Sequence, residues 1–212
     1  MHQGSDMDNK NTVLLVMGSA RAARNCPAIT AWVEQLAHRQ AEFDCEVVDL
    51  AAWTLPAGDE PGIPALGHYA QAHTRAWSDK VQSASAVVFV VPQYNWGYPA
   101  VLKNAIDHLY REWRNMPTLI VSYGGHGGTR CARQLRRVAA SLKMRVANTS
   151  PALVLPDDVI RRGIALRPQQ DLAAFERTVG RAFKELAALV AGTEPPLSRL
   201  RRTLLGAWFA AT

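Results

Sequence analysis

Short runs of β-branched and apolar residues recur along this chain, each leading into residues with apolar positions at helical spacing, the pattern of a parallel sheet with crossover helices. Val13 to Met17 leads into Ile29, Trp32, Val33, Leu36 and Ala37. Cys45 to Leu50 is followed by a Pro- and Gly-rich loop through Pro64 and a weaker helical pattern from about Tyr69 to Gln82. Ala86 to Val91 precedes the clearest helical face, Leu102, Ala105, Ile106, Leu109, Tyr110 and Trp113. Thr118 to Ser122 precedes Ala132, Leu135, Ala139 and Leu142; Met144 to Ala147 and Ala152 to Leu155 supply a broken fifth strand; a last helix runs from about Gln169 to Val190. Because Val13 to Met17 and Ala86 to Val91 are continuously apolar, they read as strands covered on both faces. The expected fold is α/β, with five parallel strands, helices on both sides and right-handed crossovers.

A chain of 212 residues fits one such domain, expected over residues 12–192 after a loose, disordered polar terminus, residues 1–11. Residues 193–212 form a tail carrying Arg199, Arg201 and Arg202, then Leu204, Leu205, Trp208 and Phe209. It is read as packed on its own domain or frayed, with docking to a partner subunit or a membrane surface as alternatives. A hydrophobic fraction of 48% with 20% charged residues excludes disordered and collagen-like classes. Residues 81–102 carry no charge, but Pro92, Gln93, Asn95 and Gly97 interrupt them, so no membrane insertion is expected. The net charge of +6 is concentrated between residues 111 and 145, where eight Lys or Arg face only Glu112. Without any helix-turn-helix or zinc-finger signature, that excess reads as the solvated face of a helix, with no nucleic-acid partner. Cys26, Cys45 and Cys131 are odd in number and widely separated, which points to a reducing, cytoplasmic compartment.

Ligands of open parallel sheets bind beyond the carboxyl ends of the strands, so three loops carry the chemistry. The first runs from Gly18 through Ser19, Arg21 and Arg24 to Pro27, which can open a helix. A hydroxyl and two guanidinium groups at a helix N-terminus, with no acid among them, suit a phosphate dianion; the alternative is a pair of exposed loop arginines. The loop has neither the dinucleotide glycine fingerprint nor a nucleoside-triphosphate Lys-Ser/Thr. The second, Pro92-Gln93-Tyr94-Asn95-Trp96-Gly97-Tyr98-Pro99, offers amides and flat faces for a conjugated ring, or is a packed aromatic loop. In the third, Ser122 to Thr129, four glycines surround His126 and allow close approach of backbone to a ligand, or a flexible turn. No metal site is expected.

The segments Gly18–Arg24, Pro92–Asp107 and Ser122–Gly128 together resemble the signature segments of the NADPH-dependent FMN reductases, flavodoxin-like quinone and flavin reductases. The resemblance covers about residues 12–155. It implies a flavodoxin-like three-layer sandwich with strand order 2-1-3-4-5, FMN as cofactor, NADPH or NADH as co-substrate, and a homodimer or homotetramer. By position, Ser19, Arg21 and Arg24 would hold the FMN phosphate. Pro92, Gln93, Tyr94, Asn95 and Trp96 would line the ribityl chain and ring, and Ser122, Tyr123, Gly124, Gly125, His126 and Gly127 would meet the pyrimidine edge.

The expected activity is hydride transfer from NAD(P)H through FMN to a small-molecule acceptor, a quinone, flavin or similar compound, in a ping-pong cycle. His126 is the candidate catalytic residue, stabilising charge that develops on the flavin. Cys131 reads as either a thiol of lowered pKa near a helix start or a buried structural cysteine. The alternative function is a flavin-bound redox sensor or electron-transfer protein acting through a protein partner.

Overall fold

The computed structural model describes residues 12–41 and 43–211. The expectation for residues 1–11 therefore lies outside the described residues. Strands β1 (Thr12–Met17), β2 (Asp44–Asp49), β3 (Ala86–Pro92), β4 (Pro117–Gly124), β5 (Arg145–Val146) and β6 (Ala152–Val154) form one parallel sheet. Its order is β2-β1-β3-β4-β5, with β6 also paired to β4. The two short pieces flanking one edge of β4 are the broken fifth strand expected from the sequence.

Alternation along the strands divides the core in two. Val13 and Leu15 of β1, with Val88 and Val90 of β3, face α1 (Cys26–Ala41) and α7 (Glu176–Val190). Leu14, Val16, Val87 and Phe89 face the other layer, α2 (Ala72–Gln82), α3 (Ala100–Asp107) and α4 (Thr129–Ser141). Both faces of β3 are fully buried, so its sequence is continuously apolar.

Three element boundaries differ from expectation. The apolar run after β3 is helical only through Asp107; the chain then turns, and Trp113 enters the core, donating to Ile106 O at 2.9 Å beside Trp77 and Phe89. Trp113 is therefore completely buried within one chain, and of that face only Tyr110 is exposed. The last helical pattern is split by the turn that buries Leu172, giving α6 (Pro168–Asp171) and then α7. Between β6 and α6 lies α5 (Asp157–Arg161).

Within the expected tail, residues 196–211 form a helix, α8 (Pro196–Ala211), packed against α4. Asn148 Nδ2 donates to Ser198 O at 3.2 Å, and Glu194 accepts from Arg202 Nη2 at 2.7 Å. Among the described residues, no helix is long and apolar enough to cross a membrane.

Candidate functional site

The carboxyl ends of β1, β3 and β4 bring the three loops to one side of the sheet, and a cleft of about 500 Å³ lies between them. Arg21, Arg24 and Asn25 line it from the first loop, Pro92, Gln93 and Tyr94 from the second, and Tyr123, Gly124 and Gly125 from the third. Its volume lies within the usual ~300–1,000 Å³ of small-molecule sites. A wider groove of about 810 Å³ along Gln40 and α7 contains none of these residues.

The first loop begins where Gly18 N donates to Val90 O, so close to β3 that a Cβ on Gly18 would lie 3.2 Å from that carbonyl oxygen. Arg21 is exposed, and its guanidinium carbon lies 3.6 Å from the centroid of the Tyr94 ring. Arg24 is largely buried and donates to Asp49 Oδ2 at 2.6 Å. Ser19 is completely buried, with its Oγ 2.8 Å from the Tyr94 hydroxyl. The expected phosphate hydroxyl is thus engaged in fixing Tyr94, and the two arginines supply the loop's positive charge.

In the second loop, Tyr94 and Gly97 exchange both backbone hydrogen bonds at 2.9 Å. Asn95 and Trp96 between them have φ of 47° and 72°, as a type I′ turn demands. Asn tolerates that conformation; Trp rarely adopts it, and here Trp96 is thrust outward, with the Arg130 guanidinium carbon 3.2 Å from its ring centroid. Neither Asn95 nor Trp96 lines the cleft. Gln93 borders the cleft, but its Oε1 accepts from Arg130 N at 3.2 Å and Cys131 N at 3.3 Å, so it caps α4.

The third loop separates into scaffold and surface. Ser122 is buried and donates to Gly127 O at 2.8 Å. Gly127, at φ 72°, passes so close to β6 that a Cβ would lie 2.9 Å from Ala152 O. Ser122 and Gly127 therefore shape the loop from below. Gly124 and Gly125 line the cleft, and His126 is exposed at the tip. Among the described residues, the N–H groups of Gly125 and His126 have no backbone acceptor.

Burial pushes the pKa of Cys131 up to about 12, and its Sγ lies 3.5 Å from Pro92 O, so it is the structural cysteine of the two readings. Burial likewise raises the Cys26 thiol and the Tyr123 phenol, the latter also beside Cys26.

Two features at the cleft escaped the sequence reading. Asp49, at the end of β2, stands behind the cleft and reaches it only through its pair with Arg24. Leu155, Val159, Ile160, Gly163, Ile164 and Ala165 form an apolar wall after β6. Their only sequence signal was their position just beyond the last piece of the broken fifth strand.

The model of the NADPH-dependent FMN reductase family matches residues 11–154. An NAD(P)H-dependent FMN reductase of Schizosaccharomyces pombe is 51% identical over 179 residues, covering 84% of this chain and 89% of that protein. One from Saccharomyces cerevisiae is 44% identical over 163 residues, covering 69% and 85%. Among solved structures, the flavoenzyme NAD(P)H:(acceptor) oxidoreductase of Paracoccus denitrificans superposes with a TM-score of 0.62 at 18% identity, over 86% of this chain and 98% of that one.

Proposed function

Since the chain belongs to the NADPH-dependent FMN reductase family, and is thereby an FMN-dependent NAD(P)H oxidoreductase, we propose that it reduces quinones, flavins or similar flat acceptors by a ping-pong cycle in the three-loop cleft. The observation that carries this reading is the polarity of that cleft. Arg21 and Arg24 stand on the first loop, the glycine backbone of Gly124 and Gly125 on the third, and Tyr94 on the loop between. A phosphate, a polyol chain and a heteroaromatic ring need those partners in that combination, so the residues fit FMN.

When bound, FMN supplies the ring that takes hydride from the nicotinamide and gives it to the acceptor. Arg21 and Arg24 bind the phosphate by charge-assisted hydrogen bonds. Asp49 orients Arg24, and Ser19 fixes Tyr94 through its hydroxyl. Main-chain N–H groups of Gly125 and His126 stabilise negative charge at the pyrimidine edge. Leu155, Val159 and Ile160 exclude water from one side of the cleft. The exposed His126 ring adds to that stabilisation from the rim.

A single flavin ring in this cleft would serve both substrates, so donor and acceptor occupy it in turn. Initial rates measured against NADPH at several fixed quinone concentrations are expected to give parallel double-reciprocal lines. Lines that intersect would show both substrates bound together and overturn the ping-pong assignment.

A further inference from the structure

Away from the cleft, the connection from β2 to α2 assembles a cluster of residues far apart in sequence. Both carboxylate oxygens of Asp59 lie against one nitrogen of His73, Nε2, at 3.0 and 3.2 Å. The ring of His108, at the end of α3, meets the His73 ring edge-on, with centroids 5.8 Å apart and planes at 84°. One donor atom from each of the three residues lies within 4.8 Å of the other two. Ligand bonds of about 2.0–2.2 Å in a tetrahedral site put donors about 3.3 Å apart, so closure takes a shift of roughly 1.5 Å. Asp59, on a loop, and His73, in the first turn of α2, are both partly exposed, so the shift falls on them and not on the buried His108.

His108 is buried with both ring nitrogens engaged, so an ion takes the place of one partner and the other partner stays. Its Nδ1 lies 3.0 Å from Thr74 Oγ1 and its Nε2 3.1 Å from Pro56 O. If Nδ1 takes an ion, the other nitrogen keeps its N–H bond to the Pro56 carbonyl; if Nε2 takes it, Nδ1–H donates to Thr74. Either way a second partner fixes the tautomer and ring plane, as ligating histidines require. The neighbouring Glu60 is no ligand, because its carboxylate accepts from Ala70 N and Gln71 N and anchors the loop on the start of α2.

We propose that Asp59, His73 and His108 form a binding site for a divalent transition-metal ion of the zinc class, clamping the β2–α2 connection against α2 and the end of α3. Two imidazoles and one carboxylate favour Zn²⁺ over the oxygen-seeking Mg²⁺ and Ca²⁺, and a water completes the tetrahedron.

The test is a calorimetric titration of Zn²⁺ into the chelator-treated, full-length protein with its FMN, with metal analysis after gel filtration and a thermal melt in parallel. The expected result is one equivalent of Zn²⁺ retained, a raised Tm, and no comparable uptake of Mg²⁺. Asp59→Asn and His73→Ala, both at partly exposed positions, should weaken Zn²⁺ binding at least tenfold while FMN content and far-UV dichroism stay unchanged. His38→Ala, on exposed α1 surface, should bind as the parent does. No stoichiometric uptake, equal uptake of Mg²⁺, or Zn²⁺ binding undiminished in both Asp59→Asn and His73→Ala would overturn the site.

Discussion

Arg24 donates to the Asp49 carboxylate at 2.6 Å, so the first loop is held just before α1 by the last residue of β2. The pair sets the relative cost of removing the two loop arginines. With the phosphate held as proposed, Arg21→Ala should lose a charge-assisted contact worth about 1.5–3 kcal/mol, some ten- to 150-fold in FMN affinity. Arg24→Ala should lose more, because it also leaves the Asp49 carboxylate unpaired at the proposed phosphate position. Adding Asp49→Asn to Arg24→Ala should recover part of that loss. Fluorescence titration of the apoprotein with FMN checks the order; an Arg24→Ala variant that binds as tightly as the parent places the phosphate elsewhere.

Two glycines of the third loop should fail in different ways. At Gly127, φ is 72° and a Cβ would lie 2.9 Å from Ala152 O, so Gly127→Ala should cost on the order of 1–3 kcal/mol of stability, read as a lower Tm. At Gly125 a Cβ would meet only the tip of Ile160, at 3.2 Å. Gly125→Ala should keep the Tm of the apoprotein and weaken FMN binding by displacing that wall. Equal losses of Tm in both variants would refute the division between scaffold and surface.

His126 is exposed and stands at the rim. His126→Ala should retain FMN and lower kcat less than about tenfold, since the loop's main-chain N–H groups remain. Complete loss of turnover with FMN still bound would make His126 an essential catalytic group.

Acid should loosen the carboxyl-terminal helix before the sheet. Hydrogen bonds from Arg202, then its charge, and the neighbouring Arg199 hold the Glu194 carboxyl below its ordinary value of 4.5. A lowered folded-state pKa contributes stability that is present above the unfolded value and is lost as pH falls through the folded one. Amide exchange in α8 should therefore accelerate below about pH 4.5 relative to β3, and Glu194→Gln should exchange fast at neutral pH with little further change on acidification. Protection of α8 that is independent of both pH and the substitution would count against the contact.

How much was legible depended on whether the signal was local. Val13–Met17 and Ala86–Val91 announced a doubly covered sheet because both faces of those strands are buried, and the loops after them followed from strand-end logic. Trp113 was misplaced because helical spacing continues past Asp107, while the fold turns there to satisfy the indole N–H inside the core. Ser19, Gln93 and Ser122 were recognised as members of the right loops, but their bonds to Tyr94, the start of α4 and Gly127 are tertiary and leave no trace in spacing. The wall from Leu155 to Ala165 and the Asp59, His73 and His108 cluster were hidden for the same reason.

If one cleft serves donor and acceptor in turn, NADPH reduces the flavin before any acceptor arrives. Anaerobic stopped-flow mixing of the FMN-loaded protein with NADPH alone tests it most directly. The oxidised flavin absorbance should bleach at a rate at least equal to kcat with no acceptor present, and a quinone mixed in afterwards should restore it fully. Bleaching that requires the quinone to be present, or none with either NADPH or NADH, would contradict it.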